Sequence, residues 1–420
     1  MSDRDWLFSL EQIGIKLGLD QIRALLAALG HPDHAYPSLV IAGTNGKGSV
    51  TAMVERGLRA AGYRTGRYTS PHLVALEERF AVDGDPIDGA ELDRLASRIR
   101  VAASALEHPP SFFEATTALG LEAFRDAGVD VAVLEVGLGG RLDATNAVDS
   151  LAVAITAVDF DHEAYLGHTL PAIAAEKAGV IKPHGLVVLG ENPDIVRDVV
   201  AHTATLRQAR LVYAPEGVTM DAVMQNGRLL ATIRTPAAHY QALRLGLLGR
   251  HQAANAVVAI RLLEELHATK QLRVTPGAIR IAVEDVAWPG RLEWTTWRGR
   301  AVLIDGAHNP AGARALAAYL REVVPQPVPC VVGAMRDKHV VDMLAALAPV
   351  ASAFVCTSAQ SPRALTPAEL LAHAQAVAPG VHAEAATSPE HALDIASRFG
   401  QPMVVAGSLY LAGEIRALVS

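Results

Sequence analysis

The sequence predicts an α/β protein of two bodies, a larger N-terminal one built on a mostly parallel sheet and a smaller C-terminal α/β one. Three observations carry this. Apolar runs alternate with helical stretches along most of the chain, the pattern of strands covered by helices. A glycine-rich loop with a single lysine, Ala42-Gly43-Thr44-Asn45-Gly46-Lys47-Gly48-Ser49, joins an apolar run to a helical one. After Ala287-Trp288-Pro289-Gly290, which interrupts both periodicities as a linker does, the alternation begins again.

In order, the N-terminal body reads as a strand over 39–42, a helix over 47–61, and strands over 129–136, 151–158 and 186–189. Amphipathic helical patterns fill the gaps at 90–106, 112–126 and 170–181. The runs 218–224 and 228–234 flank Gln225-Asn226-Gly227, and Asn-Gly favours a tight hairpin, so a small antiparallel patch is expected there. Helices over 252–267 and 276–286 complete this body, giving domains of 1–289 and 290–420. The second reads as strands over 302–304, 328–332, 354–357 and 403–406, with helices ending near 323 and 348 among those between them.

Composition sets limits. The 420 residues are 50% hydrophobic, enough for sizeable cores. Lys+Arg 37 against Asp+Glu 44 gives a net charge of −7, and no basic stripe interleaves with aromatics, which argues against nucleic acid as the main partner. Cys330 and Cys356 both lie in apolar runs and read as buried thiols. The start lacks a signal-peptide core and no run approaches the roughly 18 apolar residues of a membrane span, so a soluble cytoplasmic protein is expected.

The glycine-rich loop reads as a phosphate cradle for a nucleoside triphosphate. Glycines let backbone N–H groups turn inward, Lys47 adds a point charge, Ser49 can reach a magnesium ion, and the following helix presents its positive end. The spacing departs from G-x-x-x-x-G-K-[ST]: only Thr44 and Asn45 separate Gly43 from Gly46, and Gly48 intrudes between lysine and serine. A ligand-free glycine turn is the plainer alternative. A dinucleotide site fits worse, since no G-x-G-x-x-G is present.

Other chemistry-bearing residues cluster at strand ends, where α/β sheets hold ligands. Glu135 ends an apolar strand before Gly137-Leu138-Gly139-Gly140; it reads either as a magnesium ligand or as a partner of Arg141. Asp159-Phe160-Asp161-His162-Glu163 follows the next strand, and His162 alone reads as a loop hydrogen-bonder. Ser70, after the strand that follows the loop's helix, offers a hydroxyl to a metal or simply serves the turn before Pro71. Lys177, on a helix with few other charges, reads as a lysine that snorkels to water. In the second body Asp305-Gly306-Ala307-His308-Asn309-Pro310 places an acid and a histidine at a strand-to-helix turn that Asn309 can cap.

Together these segments resemble the folylpolyglutamate synthase and dihydrofolate synthase family of the Mur ligase superfamily, almost end to end. The similar motifs include Gly43 to Ser49, Tyr68 to Leu73, Ser111 to Thr116, Leu134 to Asn146, Asp161-His162, Glu176 to Gly179, Gly249 to Gln252 with Asn255, Pro289 to Glu293, Asp305 to Pro310 and Gly407 to Glu414. The resemblance implies a Mur-ligase-like fold, with a P-loop ATPase-like N-terminal domain and a Rossmann-like C-terminal one. It implies that Asn45, Gly46, Lys47, Gly48 and Ser49 cradle ATP, that Asn255, Arg291 and Asp305 also contact ATP, and that His308 lies near the phosphates or the incoming amino acid. Ser70, Glu135 and His162 would hold magnesium at two sites, a monovalent cation being a further candidate. Lys177 would be carbamylated, an N6-carboxylysine, which requires a neutral amine. Lys47, Lys177 and His308 are thus the implied catalytic set. Leu17, Gly18, Leu19 and Asp20, with Ser111, Phe112, Phe113, Glu114, Leu142, Asp143 and Ala144, would line the pterin side.

One departure is Asp337-Lys338-His339, where the family leads one to expect an aspartate after the lysine. The implied reaction phosphorylates a carboxylate of dihydropteroate or a reduced folate with ATP and lets the amine of L-glutamate displace the phosphate, in a monomeric enzyme. A peptidoglycan amino-acid ligase is disfavoured because only about 40 residues precede the loop, too few for a separate nucleotide-sugar domain. A nucleotide-driven switch protein would be expected to carry an Asn-Lys-x-Asp base-reading motif, which is absent from the sequence.

Overall fold

The computed structural model describes residues 2–14 and 16–419. Eight strands form the large sheet: β1 (Ser38–Ala42), β2 (Thr65–Tyr68), β3 (Phe80–Val82), β4 (Asp85–Pro86), β5 (Val131–Glu135), β6 (Ser150–Ile155), β7 (Leu186–Leu189) and β8 (Arg210–Tyr213). Their order is β4-β3-β2-β5-β1-β6-β7-β8. From β2 to β8 across the sheet every pairing is parallel, and the antiparallel pairings are β2–β3 and β3–β4 at one edge. The chain moves to one side of β1 for β2 and β5 and to the other for β6, so the carboxyl end of β1 is a topological switch point, where such sheets open a crevice.

The helices that place the site are α1 (Lys47–Ala60), α2 (Phe112–Ala127), α3 (Leu170–Ala178), α4 (His251–Ala268), α5 (Pro276–Glu284), α6 (Pro310–Val323) and α7 (Leu409–Val419). Alternation along β1 sends Leu39 and Ile41 into one core with α1, α4 and α5, and Val40 and Ala42 into another with α2 and α3. Both faces are thus covered, which is why these strands read as continuous apolar runs.

A three-stranded antiparallel sheet, β9 (Thr219–Gln225), β10 (Arg228–Arg234) and β11 (His239–Arg244), packs on the α1 side. Its hairpin turn carries Asn226 at φ 50° and Gly227 at φ 73°, the left-handed pair that Asn-Gly predicts. The third sheet comprises β12 (Glu293–Trp297), β13 (Arg300–Ile304), β14 (Val328–Val332), β15 (Ala351–Cys356), β16 (His382–Ala385) and β17 (Met403–Ala406), ordered β12-β13-β17-β14-β15-β16. All its pairings are parallel except the edge pair β12–β13. Cys330 and Cys356 are buried in it, and burial pushes both thiols up to about 12, so they are inert packing groups. Among the described residues no helix is long and apolar enough to cross a membrane.

Candidate active site

The loop after β1 enters α1 through Gly46, at φ 89°. Thr44 and Asn45 give their N–H groups to Ala157 O at 2.7 and 3.2 Å, which pins the loop to the strand beyond β6. The N–H groups of Lys47, Gly48 and Ser49, in the first turn of α1, are those that helix geometry leaves for an anion. The irregular glycine spacing has a packing cause. A Cβ on Gly46 would lie 2.2 Å from Asn255 Oδ1, and one on Gly48 would lie 2.8 Å from Trp288 Nε1. Gly48 therefore admits the linker tryptophan against the loop. On the α4 side, Gln252 Nε2 donates to Ser49 Oγ at 3.2 Å and Asn255 Nδ2 to Gln252 Oε1 at 2.8 Å.

Lys47 folds back to donate to Gly43 O and Thr44 O, both at 3.1 Å. Lys177, reaching over from α3, donates to the same Gly43 O at 2.8 Å. It is only 4% exposed, so the snorkelling read from its isolated charge is corrected: α3 turns this position toward the loop, away from water. Burial, with Lys47 adding repulsion, pushes the Lys177 amine down to about 7. Burial also lowers the Lys47 ammonium, against the pull of Glu135 and Asp161.

Glu135 ends β5, buried beside the loop, and accepts the Ser70 N–H at 3.3 Å. Arg141 pairs instead with Glu176 at 2.8 Å, which removes it as Glu135's partner. Burial raises the Glu135 carboxyl, with Lys47 opposing. A buried carboxylate with one weak N–H partner, beside a serine hydroxyl, is an oxygen donor set that suits magnesium.

His162 follows Asp161 beyond β6. It stands at φ 52° and groups with Asp161, at 3.9 Å. Burial pushes the His162 imidazole down to about 4, against Asp161. Asp161 in turn receives Lys338 Nζ in a hydrogen-bonded ion pair, and His308 Nε2 lies 3.7 Å from its other oxygen. Burial alone would raise this carboxyl; the His308, His162 and Lys338 contacts hold it well below the usual range. The Lys47 ammonium feels both Glu135 and Asp161, so the ends of β5 and β6 bring their charges to the same loop.

The second body reaches this crevice through the turn after β13. Asp305 accepts the N–H of Leu292 at 2.9 Å and of Ala307 at 2.8 Å, bracing the linker against the turn. The His308 Nδ1–H donates to Gly306 O at 2.8 Å, leaving Nε2 toward Asp161. Asn309 caps α6 and also donates to Asn45 Oδ1 at 2.9 Å, a direct bond between the second body and the loop. Arg291 lies over Gly306, where a Cβ would sit 2.4 Å from its guanidinium.

The residues assigned to the pterin side gather around the turn beyond Glu135. Phe113 packs under Gly137, and Asp143 Oδ2 accepts the Leu138 N–H at 2.8 Å. Asp143 Oδ1 accepts the Thr145 N–H and hydroxyl, with Ala144 and Leu142 flanking it, so this carboxylate shapes the turn. Ser111 and Glu114 form a capping box at the start of α2, and Phe112 stacks on Phe8. Leu17 to Asp20 lead into the helix Asp20–Ala28 beside them, where Lys16 reaches Pro109 O.

The Mur ligase middle domain matches residues 41–263, and the Mur ligase glutamate ligase domain matches residues 290–409. The chain belongs to the Mur ligase family. Within it, the chain is 38% identical to the dihydrofolate synthase/folylpolyglutamate synthase of Mycobacterium tuberculosis, over 95% of this chain and 89% of that protein. Its fold matches folylpolyglutamate synthase of the same organism complexed with ADP and AMPPCP at a TM-score of 0.91, with 35% identity over 100% and 99% of the two chains. It also matches a bifunctional folylpolyglutamate synthase/dihydrofolate synthase with Mn, AMPPNP and L-glutamate bound, at 0.86, with 30% identity over 99% and 98%.

For a Mur ligase site, the sequence reading left out Asp161 and Lys338 as a pair, Asn309 as a cross-body contact, and Trp288 against Gly48. Asp161 was masked by its neighbour His162, the more conspicuous metal-type residue. Lys338 stood out only as part of a motif lacking its acid. His339, which follows it, bonds Glu163 Oε1 at 2.8 Å, so the histidine in place of an acid meets an acid across the crevice.

Proposed function

We propose that this chain is an ATP-dependent ligase that joins L-glutamate to dihydropteroate and to the glutamate tail of reduced folates. The observation that carries the reading is the convergence of Lys47, Glu135 and the Asp161–Lys338 pair, contributed by both bodies, on one phosphate loop in a full-length relative of such enzymes. The domains 1–289 and 290–420 then act as two jaws. ATP phosphates lie on Asn45 to Ser49, the remainder of the nucleotide meeting Asn255, Arg291 and Asp305. The acceptor carboxylate attacks the γ-phosphorus, ADP leaves, and an acyl phosphate forms. The glutamate amine then attacks the acyl carbon and expels phosphate.

A carboxylate becomes a competent acylating agent only when phosphorylated, so the protein's task is to position reactants and neutralise anions. Lys47, freed from its own loop carbonyls, supplies charge to the moving phosphoryl group, and Arg291 supplies more as the jaws close. His308, through Nε2, and Lys338 stand where the incoming glutamate must approach. Ser70 and Glu135 would hold one magnesium ion and His162, with the carbamate of Lys177, another; these ions would neutralise phosphate oxygens. Carbamylation turns the Lys177–Lys47 repulsion into attraction, and the remaining N–H keeps Gly43 O.

The test is ADP formation with magnesium-ATP and L-glutamate, with dihydropteroate or tetrahydrofolate as acceptor. Turnover dependent on acceptor and glutamate is expected with both; activity with neither overturns the assignment. Arg291→Ala is expected to lower turnover about a hundredfold, and unchanged turnover would sink the two-jaw account.

A further inference from the structure

Ser70 and Glu135 line a cleft of about 520 Å³ whose walls come from both bodies. Gly48 and Arg291 join it to the nucleotide side, while Asn255 and Asp305 are not among its lining residues. Its walls carry an excess of arginine: Arg56 and Arg59 from α1, Arg67 from β2 and Arg416 from α7, besides Arg291. Two of these have carboxylate partners of their own. Arg56 Nε donates to Asp285 Oδ2 at 3.1 Å, and Arg416 Nε to Glu293 Oε1 at 3.1 Å.

Arg59 and Arg67 are different, because they share one carboxylate. Glu55, 1% exposed, lies 3.3 Å from Arg59 Nε and accepts Arg67 Nη1 at 3.4 Å, while Thr65 Oγ1 donates to it at 2.7 Å. The other terminal guanidinium nitrogens of the pair find no protein partner among the described residues. Glu78 also lines the cleft, but its oxygens accept the N–H groups of Leu73, Val74 and Ala75, which turns its charge toward that loop. The pair is held in place: Arg67 lies 5.0 Å over the Trp288 ring, and Arg59 lies against Gly84, where a Cβ would come within 2.7 Å. Asp85 and Glu135 also act on Arg67, but Glu55 is the carboxylate that both guanidiniums touch, and two arginines on one buried acid leave a positive site in the same cleft as Ser70 and Glu135.

The ligand must therefore present one carboxylate at Ser70 and Glu135 and carry others behind it. Dihydropteroate has a single carboxylate and uses no such site. A folate with a γ-linked glutamate tail carries an α-carboxylate on every residue behind its terminal γ-carboxylate. We propose that Arg59 and Arg67 bind the α-carboxylates of the γ-glutamyl tail of folate acceptors, separating polyglutamylation from dihydropteroate ligation at one catalytic centre. This rests on the folate-ligase reading above.

The experiment compares wild type, Arg59→Ala, Arg59→Glu and Arg67→Gln with dihydropteroate, tetrahydrofolate monoglutamate and tetrahydrofolate triglutamate as acceptors. Arg67→Gln keeps a donor for Glu55, and Arg59 is partly exposed, so a folded variant is available for the comparison. The triglutamate KM is expected to rise about tenfold or more, the loss of a charged hydrogen bond, and most in Arg59→Glu. KM for dihydropteroate and for ATP should stay within about twofold. With wild type, the triglutamate KM should climb with potassium chloride while the dihydropteroate KM does not. Equal losses for all acceptors, a change confined to ATP, or no change with any acceptor overturns the proposal. Wild-type turnover of dihydropteroate but of no folate glutamate overturns it while leaving the ligase reading; turnover of neither removes that reading itself.

Discussion

Lys177 and Lys47 place two amines on one carbonyl, Gly43 O, the first buried and the second partly so. The first consequence concerns protonation. With the Lys177 amine at about 7 rather than its ordinary 10.5, the neutral form needed for carbamylation is present above about pH 7 and declines below it. Activity is expected to fall below that pH and to recover on adding bicarbonate, with a carbamate carbon visible by NMR after labelling with ¹³C-bicarbonate. The sign for stability runs the same way: between about 7 and 10.5 the unfolded chain binds the extra proton, so the unmodified protein should gain stability as pH rises through that window. Lys177→Ala should lower kcat at least about a hundredfold. The family resemblance implied the carbamate and its neutral amine, but the burial behind them was not legible in Ala174-Ala175-Glu176-Lys177 itself, because burial of a lone lysine is decided by what faces its helix. Gly48 is the opposite case, since its place in the loop was visible and only its reason was hidden. Gly48→Ala should destabilise by about 1–3 kcal/mol in urea unfolding, as the Cβ displaces Trp288.

Among the elements, helices were the most readable. The predicted spans 112–126 and 252–267 differ from α2 and α4 by a residue or so at each end, since capping and 3.6-residue periodicity are local properties. At α2 the cap has a further use: Ser111 Oγ donates to Glu114 Oε2 at 2.7 Å and Ser111 N at 2.8 Å, holding a buried acid beside Phe113. Ser111→Ala should cost about 1–2 kcal/mol in thermal or urea unfolding, and it should raise KM for dihydropteroate more than KM for ATP. The strands not read from the sequence, among them β8, β11, β12 and β16, are short, partly exposed and mostly at sheet edges. Their hydrogen bonds come from a neighbour distant in sequence, so local alternation is weak. In β11 the register shifts opposite Ala231 to Ile233 and Ala242 sits at φ 50°, which breaks the period of two outright.

For the whole molecule the decisive contacts cross the crevice. Lys338 meets Asp161, His339 meets Glu163, Asn309 meets Asn45, and Arg250 meets Glu322 at 2.6 Å. Lys338→Met strips a buried carboxylate of its cation, a loss of about 2–5 kcal/mol, and should loosen the closed arrangement, read as a larger radius of gyration by small-angle scattering and a raised KM for glutamate. His339→Ala breaks an exposed pair and should shift closure little, by at most about 1 kcal/mol.

By itself the sequence determined that this is a two-body α/β protein with a phosphate loop, and its motifs pointed to a folate–glutamate ligase. Those signals lie in contiguous stretches, where periodicity and turn chemistry act over a few residues. The tertiary structure decided which charges face one another: Lys177 with Lys47 on Gly43 O, Asp161 with Lys338, and Arg59 with Arg67 over Glu55. The Lys338 ammonium is 177 positions from the carboxylate it neutralises, and only the meeting of loops from two different sheets brings them together.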